Sequence, residues 1–165
     1  DRCLSRGLGD VYKRQEGEAL RVSDIPSFAP ELLQSCRATD PLKSKHLEKA
    51  LMQFAEEGAA KVFKPNIGSG FIIGVIGSLQ FDVLTSRIEL EYGLPVRFEV
   101  SQFNSARWVS GNKSDIDKFA SENEQHIAID HDNDLVFLTR LQWDIDRVRR
   151  DYPQICLSDT KEMMN

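Results

Sequence analysis

The chain has 165 residues, of which 41% are hydrophobic, enough to bury the core of one large or two small domains. Its 21 basic and 26 acidic side chains give a formal net charge of -5, which excludes a general attraction to nucleic acid and leaves only local RNA contacts. The longest apolar run, FIIGVIG from Phe71, is too short to cross a bilayer, and three cysteines without a C-x-x-C pair favour reduced thiols, so we expect a cytoplasmic protein.

Two segments at the start are set apart from the fold. The run GLGDVYKRQ, ending at Gln15, resembles translated adaptor sequence, so residues 1–15 are interpreted as a non-native leader; the alternative is an ordinary N-terminal tail. Residues 16–27 are interpreted as the tail of a preceding β-barrel domain. On this interpretation the sequence begins inside a longer protein, and any catalytic domain would lie upstream.

A strand and a helix come next. Residues 28–38 are predicted to be extended, with a proline near their start. Asp40 is the predicted N-cap of the following helix, Pro41 presets its first turn, and Gly58 ends it. Apolar residues at helical spacing form its predicted core stripe: Leu47, Ala50, Leu51, Phe54 and Ala55.

A hairpin, a second helix and a strand complete the first domain. Two β-like runs, from Ala59 and from Phe71, are joined by NIGSG, which suits a turn. A helix is predicted from about Ser78 to Tyr92, followed by a half-buried strand from Pro95. The order β-α-β-β-α-β over residues 28–104 predicts an α+β fold of the ferredoxin-like split βαβ type.

Residues 105–165 repeat this order more faintly and predict a second, smaller α/β lobe. Its predicted elements are a strand at ARWVS, a helix over 114–122, strands near 126–130 and 135–139, a helix near 141–151, and a last strand.

Several runs resemble the C-terminal region of bacterial class II release factors, a family of translation GTPases. The most specific is GVIGSLQFDVLTSRIELEYG from Gly74, and FAEEGAAKVFKP from Phe54 is the next. Further runs are PSFAPE from Pro26, DPLKSKHLEKAL from Asp40, ARWV from Ala106, and RDYP followed by DTKE. The resemblance covers nearly everything after residue 15, with a weaker similarity to the third domain of the translocation elongation factor.

The resemblance implies a fragment of a ribosome-associated GTPase that promotes dissociation of class I release factors during termination. The implied partners are ribosomal RNA and protein, with class I factors indirectly involved, for a monomer that contacts no membrane. The resemblance implies that GTP or GDP binds the parent protein. The phosphate-binding loop G-x-x-x-x-G-K-[ST] does not occur in this sequence. We therefore expect no cofactor and no enzyme activity in the fragment itself.

The run HIAIDHDND, from His126 to Asp134, carries enough nitrogen and oxygen ligands to raise a metal hypothesis. It fails the calcium-loop pattern, because Leu135 stands where the loop needs glycine and Leu141 where it needs glutamate. We favour a solvated turn between two strands and predict no metal.

Three sets of residues are candidate ribosome contacts, each with a structural alternative. Glu56 and Glu57 lie at a helix C-terminus, where negative charge is mildly unfavourable, so a partner contact and a tolerated exposed pair are equally good explanations. Arg107 and Trp108 offer flat faces to RNA bases, although a buried strand tryptophan beside an outward arginine is the favoured interpretation. The cluster Arg147, Arg149 and Arg150 suits phosphate, but flanking Asp144, Asp146 and Asp151 favour helical ion pairs.

Two rival functions stay open at this point. One is a fragment of an elongation-factor-like translocase, and the other is a small hydrolase on a ferredoxin-like scaffold, since fold alone does not fix function. The hydrolase would need an anion-binding loop with a nearby arginine and asparagine, and we find no convincing one in the sequence.

Overall fold

The computed structural model describes residues 27–68 and 70–161, so the predicted leader 1–15 and nearly all of the predicted tail 16–27 lie outside the described residues. The described part has four α-helices: α1 Ser44–Glu57, α2 Leu79–Tyr92, α3 Lys113–Glu122 and α4 Gln142–Asp151. Its ten strands are β1 Ser27–Phe28, β2 Leu32–Ala38, β3 Lys61–Pro65, β4 Phe71–Val75, β5 Val96–Val100, β6 Ser105–Ser110, β7 Ile127–Ile129, β8 Leu135–Thr139, β9 Cys156–Ser158 and β10 Thr160–Lys161.

Eight of these strands form one antiparallel sheet. Their order across the sheet is β5-β2-β4-β3-β7-β8-β6-β9, and β1 pairs with β10 in a separate two-stranded ribbon. Helices packed against an antiparallel sheet define the α+β class, so this part of the sequence prediction is confirmed.

Helix α1 forms as its sequence signals require. The Asp40 carboxylate accepts a hydrogen bond from the Leu42 N–H at 3.0 Å, and Pro41 opens a 3-10 turn that leads into the helix. Gly58 follows the last residue with φ of 81°, the left-handed conformation that a glycine adopts without strain. All five residues of the predicted stripe are buried: Leu47, Ala50, Leu51, Phe54 and Ala55.

The elements β2, α1, β3, β4, α2 and β5 follow the predicted order β-α-β-β-α-β. The predicted hairpin is present, with Val62 of β3 opposite Ile73 of β4. In the sheet β2 and β3 flank β4, and β5 lies outside β2. Helix α2 buries Phe81, Leu84 and Ile88 and ends at Gly93.

The elements predicted after residue 104 are also present, but they extend the first sheet instead of forming another. Strand β7 pairs with β3, so that Lys64 lies opposite Ile129 and Pro65 opposite Ala128. The second lobe is therefore joined to the first through backbone hydrogen bonds across one sheet. The domain boundary at residues 104 and 105 stays a prediction.

Side chains of the sheet enter three apolar clusters. One lies between the sheet and helices α1 and α2, with Phe54, Ile73 and Ile88 among its members. A second is formed with α3 and α4 around Phe119 and Phe137. The third collects the alternate residues of β3, β4, β6, β7 and β8, which point to the opposite face because successive strand residues alternate.

This third cluster shows that the sheet is curved. Strands β3 and β6 are three steps apart in the sheet, a separation of about 14 Å if the sheet were flat. The rings of Phe63 on β3 and Trp108 on β6 nevertheless meet edge to face, with centroids 6.4 Å apart. The sheet therefore curls towards the face away from its helices, as twisted antiparallel sheets do.

Candidate functional site

Residues 130–134 of the HIAIDHDND run form the predicted turn between β7 and β8, but the turn is not fully solvated, because Asp130 is buried. Asp130 organises it, because one carboxylate oxygen accepts the N–H groups of Asp132 and Asp134, both at 2.9 Å. Asn133 takes a left-handed φ of 65°, which asparagine tolerates better than most residues. Three aspartates consequently crowd together at one end of the sheet.

Lys161 on β10 supplies the positive charge for these three carboxylates. Its ammonium lies 2.8 Å from Asp130 and 2.7 Å from Asp134, and it also donates to Asp132. The second oxygen of Asp130 accepts a hydrogen bond from the Trp108 indole N–H at 3.1 Å. One ligand atom from each of Asp130, His131 and Asp132 lies within 4.8 Å of the others, the grouping behind the metal hypothesis, but the Lys161 ammonium occupies the acidic face.

The pKa values of this cluster follow from its contacts. Burial alone would raise the pKa of Asp130, but hydrogen bonds from Lys161, the Asp134 N–H and Trp108 outweigh it and lower that pKa. Burial would lower the pKa of Lys161, and the three carboxylates reverse this and raise it. Nearby Lys61 has a lowered pKa, because of burial and the charge of Lys161. The sequence prediction missed Lys161, since only the proximity of β10 to the turn reveals its role.

Arg107 and Trp108 lie on opposite faces of β6. Trp108 belongs to the cluster on the helix-free face and is only 6% exposed, so its ring offers no free face for a base. Arg107 is half-buried, and burial lowers its pKa, with Arg149 adding repulsion against the attraction of Asp159. The buried strand tryptophan agrees with the interpretation favoured from the sequence, whereas the arginine beside it was expected to face outward and is half-buried on the other face.

The three arginines of α4 do not form one cluster, because Arg149 lies on a different side of the helix from Arg147 and Arg150. Arg149 approaches Arg107 near the sheet, whereas Arg147 lies over the Trp143 ring at 5.9 Å. Arg150 is exposed and pairs with Asp151 at 3.4 Å. In the described part of the chain, this is the only ion pair that the α4 arginines form. The helical ion pairs expected from Asp144 and Asp146 are therefore not formed.

Asp144 and Asp146 have other partners. Asp144 accepts the Thr139 hydroxyl at 2.7 Å, and Asp146 accepts the Gln142 amide at 3.4 Å. Trp143, which is 60% exposed, was missed from the sequence. The sequence pattern that could have revealed it is an aromatic residue outside the buried stripe of Ile145 and Val148.

The two glutamates at the end of α1 have unequal surroundings. Glu57 pairs with Arg87 of α2 at 3.1 Å, and the same guanidinium also binds Glu91 and lies 4.5 Å from the Phe54 ring centre. Glu56 is exposed and makes no ion pair with the residues that the structure describes. Of the two, only Glu56 keeps its charge available to an outside partner.

Helix α2 exposes apolar side chains on the face that it turns away from the sheet. Leu79, Val83 and Leu90 are 56% to 86% exposed and share one stripe of the helix. The helix is therefore apolar on two sides, and it coincides with the most specific run of the family resemblance.

Residues 22–149 match the family model of the class II release factor RF3, C-terminal domain. The chain belongs to this family. A domain of this kind is a non-catalytic part of a translation factor and implies ribosome association in translation termination. The match does not favour the translocase fragment or the small hydrolase. Among the described helices, none is both long and apolar enough to cross a membrane.

Proposed function

We propose that this chain is the C-terminal part of a ribosome-associated GTPase that promotes dissociation of class I release factors after peptide release. The observation that carries the proposal is the family match over residues 22–149. In this proposal the nucleotide, GTP or GDP, binds the rest of the parent protein. The RF3 domain itself contacts ribosomal RNA and protein as a cytoplasmic monomer.

The architecture suits a domain that transmits force and position. Six of its elements run in the order β-α-β-β-α-β, with β2 and β3 flanking β4, which supports a ferredoxin-like unit. Hydrogen bonds continue across eight strands into the second lobe. A displacement at one edge of the sheet is therefore transmitted to the other edge. Such a body can move as a unit between two positions on the ribosome.

The mechanism is then a coupling of two states. The parent protein fits the ribosome differently with GTP and with GDP, and this domain makes contacts that favour one of the two fits. A contact that is stronger in the GTP state displaces the class I factor. The domain contributes binding energy and orientation to this step, and it contributes no chemistry.

A chimera tests the proposal. Residues 22–161 of this chain would replace the corresponding region of a complete class II release factor, and release of a labelled class I factor from termination complexes would be timed with GTP. We expect release at close to the rate of the unaltered factor. The same factor without its C-terminal region is the negative control.

Nucleotide binding by the chimera must be measured beside the release rate. A chimera that binds GTP normally and reaches the ribosome, yet releases no class I factor, would contradict the proposed function. Restored release would leave the translocase and hydrolase rivals without support.

A further inference from the structure

Helix α4 has a buried face and an outward face of different chemistry. Ile145 and Val148 are fully buried against the sheet. Trp143, Arg147 and Arg150 follow one another at i, i+4 and i+7, which places them in one row on the opposite face of the helix. We call these three residues the outward row.

Trp143 and Arg150 of the outward row are exposed, Arg147 is half-buried, and two of the three side chains are already in contact. Trp143 is 60% exposed, and the Arg147 guanidinium lies 5.9 Å from its ring centre, within the range of a cation–π contact. The Arg150 side chain is 71% exposed. An exposed indole, the exposed Arg150 and the half-buried Arg147 therefore lie on the same side of the helix.

Neighbouring acids do not neutralise this row. Asp144 is held by Thr139 at 2.7 Å, and Asp146 accepts a hydrogen bond from Gln142 at 3.4 Å. Among the residues that the structure describes, the row forms one ion pair with a carboxylate, that of Arg150 with Asp151 at 3.4 Å, and exposed pairs exchange partners at little cost. Both guanidinium groups are thus available to an anion.

We propose that the outward row binds RNA, with an unpaired base stacked on the Trp143 indole and phosphate groups held by Arg147 and Arg150. This inference rests on the proposed function, since it names the ribosomal RNA contact of the same domain. Two cations beside one exposed ring complement phosphate and base together, as single-stranded RNA requires. A net charge of -5 gives no general attraction to RNA, so a contact depends on a local group of cations such as this row.

Two variants of the full chain test the inference against a matched control. Trp143→Ala removes the ring, and Arg147→Gln with Arg150→Gln removes both charges. Arg97→Gln with Lys45→Gln makes the same change in net charge at exposed positions on β5 and α1. Dissociation constants for 70S ribosomes and for labelled polyuridylate would be measured over a range of salt concentrations, after melting curves confirm folding.

We expect Trp143→Ala to weaken binding to both probes about tenfold, since base stacking on an aromatic ring has an effect of this order. The double arginine variant should weaken binding at least as much. It should also reduce the salt slope for polyuridylate by about 1.4, because each single-strand phosphate contact contributes about 0.7. The matched control should stay within about twofold of the native chain, because long-range charge alone has a small effect.

The outcomes separate the two proposals. If the native chain binds ribosomes and the row variants bind them equally well, the RNA-binding role of the outward row is wrong and the proposed function stands. Row-dependent binding to polyuridylate without any ribosome binding would uphold the row and count against the proposed function. A native chain that binds neither probe, or a row that matters for ribosomes but not for polyuridylate, would overturn the assignment to RNA.

Discussion

The ammonium of Lys161 lies 2.8 Å from the Asp130 carboxylate, and this contact ties β10 to the turn between β7 and β8. Strand β10 in turn pairs with β1, and the Ala29 N–H donates to the Asp159 carbonyl at 2.6 Å. The first described strand is therefore held next to the last described strand. A charge cluster that resembles a metal site in sequence acts here as a structural clasp.

Replacing Lys161 with methionine should destabilise the domain by about 3 kcal/mol at pH 7, since removing one partner strands a buried charge. Asp130 is 4% exposed and would keep the Trp108 hydrogen bond but lose the ammonium that lies 2.8 Å from it. Urea unfolding of native and variant chains measures the difference. Lys64→Met, at an exposed pair with Glu48, is the control and should change stability by less than about 1 kcal/mol.

The loss caused by Lys161→Met should also depend on pH. Asp130 has a lowered pKa in the native fold, so its stabilising contribution is present above its ordinary value of 3.8 and is lost as pH falls through the folded value. In the variant, burial without the Lys161 ammonium raises this pKa, so the destabilisation caused by the substitution is smallest at low pH. The gap between native and variant should therefore narrow from pH 7 towards pH 4. A gap of constant size would contradict the clasp.

Local signals in the sequence predicted the helices well. Asp40 and Gly58 mark the ends of α1, and Gly93 marks the end of α2, because capping depends on a few neighbouring residues. Burial of Leu84 and Ile88 follows from the helical period alone. Such features need no knowledge of the rest of the chain.

Contacts between distant parts of the chain could not be predicted in this way. The pairing of β3 with β7 makes one sheet of two predicted lobes, and strand pairing over such distances leaves no local pattern. Lys161 and Asp130 are likewise distant in sequence. Trp143 was missed because the apolar periodicity of α4 identifies only the residues that the helix buries, and Trp143 is not one of them.

A close approach of two segments leaves no room for a side chain at Gly74. A Cβ atom at Gly74 would lie 2.3 Å from Pro30 Cγ and 2.6 Å from Pro30 Cβ, and a proline ring has little freedom to move. Gly74→Ala should therefore cost about 2 kcal/mol of unfolding free energy, the usual effect of overpacking. Thermal or urea unfolding checks this value.

Gly77 provides the matched control for this substitution. It lies a few residues further along, has no heavy atom within 4 Å of an added Cβ, and is not among the positive-φ glycines. Gly77→Ala should leave stability unchanged or raise it by less than about 1 kcal/mol. Equal losses at both positions would show that the Pro30 contact is not the cause.

The buried thiol of Cys36 predicts a loss of stability in alkali. Burial raises its pKa from 9.0 to about 12, so the folded protein keeps the proton at a pH where the unfolded chain has lost it. The contribution of the thiol is complete below pH 9 and is lost between 9 and about 12, at about 1.4 kcal/mol for each pH unit. Cys36→Ala should remove this dependence. The difference in unfolding free energy between the native chain and the variant, measured by urea titration, should therefore decrease by about 1.4 kcal/mol for each pH unit above 9. An advantage that is unchanged from pH 8 to 11 would show that the thiol does not titrate in this way.

Glu56 and Glu57 form the last matched pair, because they are adjacent and differ in their partners. Glu57 is bound to Arg87 at 3.1 Å, whereas the exposed Glu56 has no ion pair within the described residues. Glu57→Gln should lower the melting temperature slightly and leave ribosome affinity within about twofold, since exposed pairs contribute little. Glu56→Gln should leave melting unchanged and weaken ribosome binding roughly threefold, the effect of losing one rim charge. Co-sedimentation with 70S ribosomes and thermal melts of both variants separate the two roles, and an affinity loss confined to Glu57→Gln would reverse the assignment.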